Sequence, residues 1–128
     1  MKLLLDTHAL LWWWANDPQL SATTRAAIAD PANAVWVSAA SAWEMATKYR
    51  IGKLPEAGPL LPRYEAQVLA EGFQHLPMNH AHSIRSGSYP QAHRDPFDRM
   101  LAAQAEIENA KLVSLDPAFA AFGVDLLW

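Results

Sequence analysis

Four acidic residues stand where a chain of alternating strands and helices can gather carboxylates: Asp6, Glu44, Asp98 and Asp116. Crowded carboxylates raise one another's pKa and resist joint ionisation, a penalty that a divalent cation removes. Mg2+ and Mn2+ prefer oxygen ligands, and Mg2+ is commonly held by a few carboxylates, waters and a substrate phosphate. Such a set would serve metal-assisted hydrolysis of a phosphate ester. Each acid also has a plainer use. Asp6 and Asp116 can cap the helix or turn that follows, and Glu44 can be a solvated helix residue. Asp95-Pro96-Phe97-Asp98 matches a helix N-cap, a proline at the first helical position and an acid at the third, which explains both aspartates without metal. The functional reading rests on the four acids taken together.

The elements that must position them follow from local pattern. Lys2 to Leu5 is a short apolar run that reads as a buried strand ending at Asp6, with a helix over Ala9 to Ala15. Asp17-Pro18 breaks the chain, Ser21 caps a helix to about Asp30, and Pro31 stops it. Ala34 to Ser38 is β-branched and aromatic, a second strand. Ala40 to Tyr49 is alanine-rich and closed by Gly52, which predicts a helix carrying Glu44. A Pro/Gly loop from Leu54 to Pro62 leads to a helix over Arg63 to Glu71, a weak strand at Phe73 to Leu76 and a short helix over Asn79 to Ser86. Beyond an irregular segment, the clearest helix spans Pro96 to Ala110, with Asp98 in its first turn. Lys111 to Ser114 is a strand, Asp116 to Phe122 a turn or short helix, and Val124 to Trp128 a last strand. This alternation implies a parallel sheet covered on both faces. In such sheets the functional crevice lies beyond the carboxyl ends of the strands, which is where Asp6 and Asp116 fall.

Composition permits this reading without demanding it. The chain's 128 residues are 52% hydrophobic and 18% charged, enough apolar content for a core and against extensive disorder. A formal net charge of -3 is a poor start for nucleic-acid binding, although bound cations reverse the local sign at a metal site. No apolar run approaches the roughly 18 residues of a membrane span. The absence of cysteine fits a reducing, cytoplasmic setting. Trp12, Trp13 and Trp14 stand together, and successive helical residues point about 100° apart, so at least one is expected to be exposed or to face a partner.

Four strings carry a resemblance. LLLDTHALLWW, VSAASAWEMATKYRIGKL, HRDPFDRMLAAQA and KLVSLDPAF, in that order across nearly the whole chain, are similar to the acid-bearing segments of PIN domains. They especially resemble those of VapC-type toxins from type II toxin–antitoxin systems. The resemblance implies a single PIN domain over residues 1–128 with an α/β fold: three layers, α/β/α, around a short central parallel sheet of four to five strands. It implies a Mg2+-dependent (or Mn2+-dependent) endoribonuclease, with Asp6, Asp98 and Asp116 holding metal and Glu44 completing the site. Asp98 is preferred to Asp95 because it precedes the small-residue run Leu101-Ala102-Ala103, leaving Asp95 as cap or outer residue. Thr7 and Ser114 are similar to the hydroxyl residues that support the site in relatives. The resemblance also implies an RNA substrate, a small antitoxin covering the acidic groove, and a homodimer. The Trp12–Trp14 surface is the expected docking zone.

Other readings compete. His8, His75, His80, His82 and His93 could support metal-free acid–base cleavage, but none is assigned to catalysis here. Arg85, Arg94, Arg99, Lys48 and Arg50 are candidates for phosphate contact, a role that surface charges often lack. A haloacid-dehalogenase-type phosphatase also has an aspartate after its first strand. It wants a second aspartate two residues on, where this chain has His8. The remaining alternative is a catalytically inactive PIN-like module that binds protein or RNA.

Overall fold

The short apolar run at the start of the chain becomes the middle of the sheet. In the computed structural model, which describes residues 1–128, β1 (Lys2–Leu5) is followed by α1 (Thr7–Trp14), α2 (Ala22–Ala29) and β2 (Ala34–Ser38). Next come α3 (Ala39–Arg50), α4 (Tyr64–Ala70), β3 (Gln74–Leu76), α5 (His80–Ser88), α6 (Pro96–Ile107), β4 (Lys111–Val113) and β5 (Leu126–Leu127). All strand pairs are parallel, and the order across the sheet is β3-β2-β1-β4-β5. The architecture is α/β, with the five strands at the upper end of the expected range.

Side chains alternate across β1, as the period of a strand requires. Leu3 and Leu5 join Val35, Val37 and Val113 on one face, beneath Leu10 of α1, Ile28 of α2 and Val68 of α4. Leu4, Leu76 and Leu112 turn to the other, beneath Leu101, Ala102 and Ala105 of α6 and the aromatic rings of Phe119 and Phe122. Small residues on α6 let that helix lie close to the sheet. A buried polar link sets its position: Ser38 Oγ, at the end of β2, donates to Gln104 Oε1 at 2.5 Å. The same Ser38 hydroxyl accepts from Ala40 N and caps α3. One residue thus fixes the starts of α3 and the middle of α6, the two helices that carry Glu44 and Asp98.

Several boundaries differ from the sequence expectation. Helix α1 starts at Thr7 rather than Ala9, because Asp6 caps it directly by accepting from Ala9 N at 2.7 Å. The loop from Leu54 to Pro62 holds one short 3-10 turn, Pro55–Ala57, and runs into a second, Leu61–Arg63. Helix α6 ends at Ile107, three residues early, and the chain reverses through Asn109 at φ 53°. The last strand shrinks to Leu126–Leu127, since β4 offers only Leu112 and Val113 for pairing.

Exposure of a ring in the tryptophan triplet, one of its two expected outcomes, does not occur. None of the three is exposed; all are half-buried. Trp12 packs edge-on against Trp128, Trp13 lies beside Phe73 and donates Nε1 to Glu71, and Trp14 meets Tyr64. The three directions around α1 reach three different neighbours, so one core face is not required to hold them all. The exposed tryptophan is Trp43, on α3.

Candidate active site

The register of the sheet sets the site. Leu5 is level with Val37 on one side and Val113 on the other, so β1, β2 and β4 end together. Asp6 follows directly, its N–H donating to Val113 O at 3.0 Å. Ser114 and Asp116 follow β4, and a 3-10 turn (Pro117–Phe122) begins where Asp116 accepts from Ala118 N at 2.9 Å. Glu44 comes in from the second turn of α3 and Asp98 from the first turn of α6. All four acids, with Asp95, line one cavity of about 160 Å3 that also borders Thr7, His8 and Lys48.

Each carboxylate has its own surroundings. Asp6 is buried, and that burial raises its pKa against the hydrogen bonds from Ser114 and Ala9 that favour its charge. Glu44 is buried too, with both oxygens engaged: Thr7 Oγ1 donates to Oε1, and Lys48 pairs with Oε2. Ser41 Oγ lies 3.0 Å from the same Thr7 hydroxyl and extends the network. Burial opposes the charge on Lys48, yet its bond to Glu44 and the fields of Glu44, Asp95 and Asp98 hold its pKa above the usual value. Asp98 is half-buried, and His93 Nε2 lies 2.8 Å from its Oδ2. Burial first, then repulsion from Asp95 and Glu44, pushes Asp98 up to about 6 despite that histidine. Asp95 accepts from Phe97 N and Asp98 N and caps α6. Asp116 is exposed.

The capping and functional readings are therefore compatible for Asp6 and Asp116, which cap with one oxygen and border the cavity. Asp98 has no capping duty. As arranged, no three acidic or histidine side chains converge tightly enough to enclose a cation. Burial first, and the neighbouring acids after it, disfavour the charge on Asp98. The donor set itself, carboxylate oxygen without sulfur, suits a hard divalent cation.

Two contributors were not evident from sequence. His93 was assigned no part at the site, yet it holds Asp98; its only signal was its place in the HRDPFD string. Lys48, a phosphate-contact candidate by sequence, pairs with Glu44 and lines the cavity. Two other candidates are engaged elsewhere. Arg85 forks onto Glu106, and Arg99 donates to the carbonyls of Ser86, Tyr89, Gln91 and His93. Arg50 and Arg94 are exposed. The Thr7 network makes a direct prediction. Thr7→Val leaves the buried Glu44 short of a donor and should lower stability by about 1–3 kcal/mol in urea unfolding. A change under about 0.5 kcal/mol would show that the hydroxyl is not needed there.

A short all-parallel sheet, helices on both faces and a carboxylate cavity beyond the strand ends define an acid-lined α/β protein. The PIN domain family matches residues 3–124, and the chain belongs to that family. It is 40% identical over 79 residues to ribonuclease VapC16 of Mycobacterium tuberculosis, a stretch that covers 56% of either chain. The match thus spans just over half the length of that curated relative. Among solved structures, VapBC2 from Rickettsia felis, bound to a DNA fragment from its promoter, is similar at a TM-score of 0.71 and 16% identity. That match covers 100% of this chain and 98% of the other. FitAcB from Neisseria gonorrhoeae is similar at a TM-score of 0.67 and 21% identity, over 98% and 96% of the respective chains. At these identities the likeness is one of fold.

No helix is long and apolar enough to cross a membrane.

Proposed function

We propose that the chain is a Mg2+- or Mn2+-dependent endoribonuclease acting as the toxin of a toxin–antitoxin pair. The observation that carries this reading is the lining of one strand-end cavity by Asp6, Glu44, Asp98 and Asp116. The likeness to a relative named as a ribonuclease agrees with it. A divalent cation, when bound, neutralises the carboxylates and activates water for in-line attack on phosphorus. Asp6, Asp98 and Asp116 would hold it, with Glu44 completing the site. His93 holds the other oxygen of Asp98, and Ser114 together with Ala9 N fixes Asp6. Glu44 keeps a charge-balanced wall through Lys48 and Thr7. A small antitoxin covering the cavity and a second copy of the chain are the proposed protein partners. The tryptophan docking zone narrows, since Trp12 and Trp14, but not Trp13, line an open cleft of about 410 Å3 beside the site.

Digestion of total RNA by the antitoxin-free protein tests the reading, with chelator and Asp6→Asn as controls. The expected products end in 5′-phosphate and 3′-hydroxyl; 2′,3′-cyclic phosphate ends would remove the mechanism. A second reading, a PIN-like binding module without activity, draws on the acids' failure to enclose a cation as arranged. Neither cutting nor cation binding by the wild type would favour that module.

A further inference from the structure

Beside the acid cavity lies a second one of about 300 Å3, at the lower end of the roughly 300–1,000 Å3 typical of small-ligand pockets. Its lining is Asp6, His8, Trp12, Leu115, Asp116 and Pro117. Asp6 and Asp116 form its boundary with the acid cavity, and His8 borders both spaces. The far wall is aromatic and fixed. His8 and Trp12 stand one helical turn apart on α1 with ring centres 5.6 Å apart, and Trp128 braces Trp12 edge-on at 5.7 Å. The opposite rim is Leu115, which is 52% exposed although it directly follows the buried β4 and Ser114. An exposed leucine, a braced tryptophan and two carboxylates lining one pocket suit an occupant with a flat apolar body and an end that a cation on the acids would hold.

We propose that this pocket is a nucleobase subsite: an unpaired base next to the scissile phosphate stacks on Trp12, with Leu115 and Pro117 closing over it and His8 at the junction of base and phosphate. The proposal rests on the ribonuclease reading and adds to it the residues that contact a base. Continuity with the acids favours this occupant. The two cavities share Asp6, His8 and Asp116, so a nucleotide with its phosphate held at the acids through a cation would reach the neighbouring pocket with its base. Aromatic stacking accepts any base, so the subsite selects unpaired over paired RNA before it selects sequence. His8 and Trp12 thereby become specificity-determining residues.

The test compares binding of a labelled RNA hexamer with that of an abasic backbone of equal length, by fluorescence anisotropy. Ca2+ replaces Mg2+ to preserve the strand. The hexamer should bind about tenfold tighter or better, and Leu115→Glu should erase that advantage, as should Trp12→Leu. Trp12→Leu removes a packed ring and puts folding at risk, whereas Leu115 is exposed, so its variant keeps the test open. Equal affinity for both strands, no measurable binding of either, or an advantage that survives Leu115→Glu would overturn the subsite. If Leu115→Glu left the hexamer untouched but released the antitoxin, the pocket would belong to a protein side chain. Cutting of total RNA by the wild type is scored separately. Cutting without base-dependent binding removes the subsite alone, and base-dependent binding without cutting removes the nuclease reading alone.

Discussion

Asp98→Asn is expected to weaken Mg2+ or Mn2+ binding by at least about tenfold and to lower RNA cutting by at least about a hundredfold. Residues that merely support metal ligands already account for about 10–100-fold, so a ligand should account for no less. The variant is isosteric and retains a partner for His93, so the fold should survive. Its stability should change in a particular way with pH. In the protein without cation, the Asp98 carboxyl titrates near 6, above its usual value, chiefly because burial and the nearby acids disfavour its charge. The folded state therefore holds that proton more tightly than the unfolded chain. The stability this contributes is complete below about pH 4 and is lost as pH rises through about 6. Asp6, also raised by burial, acts in the same direction. Melting curves of the cation-free protein should fall across this window, and the Asn variant should flatten part of the fall. Added Mg2+ should restore the midpoint above pH 6 in the wild type and do less in the variant. A variant that binds cation and cuts RNA like the wild type would move the site away from Asp98.

The second large effect is expected at Arg99. Its guanidinium donates four hydrogen bonds to the carbonyls of Ser86, Tyr89, Gln91 and His93, at 2.7–3.0 Å, which ties down the chain between α5 and α6. That chain carries His93 to Asp98. Arg99→Met should cost about 2–4 kcal/mol, because four part-buried carbonyls lose a charged donor at once. Arg99→Lys should recover little, since an ammonium cannot reproduce the planar fork. Urea unfolding measures the loss, and limited proteolysis should find new cuts between Ser88 and Asp95. A stable Met variant with an uncut loop would show that the turn holds itself.

What could be seen in the sequence was what is local. β1 declares itself by four residues and an aspartate, α6 by its cap, proline and small residues, and Asp6 and Asp116 by their place after strands. The uses of Arg99, Lys48 and His93 were hidden because each depends on a chain reversal or a neighbouring helix. Arg99 looked like a free surface cation, and only the fold over residues 86–93 shows why it is occupied. The tryptophan triplet misled for a related reason. Angular spacing on α1 is local, whereas the neighbours that half-cover all three rings, Trp128, Phe73 and Tyr64, come from elsewhere in the chain.

The strand order sets when the acid cavity can first form during synthesis. β1 is synthesised first but lies in the centre, between β2 and a β4 that begins at Lys111. Until that segment leaves the ribosome, one edge of β1 stays unpaired, Asp6 lacks the Val113 carbonyl that anchors its backbone, and Asp116 does not yet exist. A nascent chain halted short of residue 116 carries Asp6, Glu44 and even Asp98 but has no closed cavity. The topology acts as a timer: the acid cavity closes only after β4 and the turn bearing Asp116 have been made.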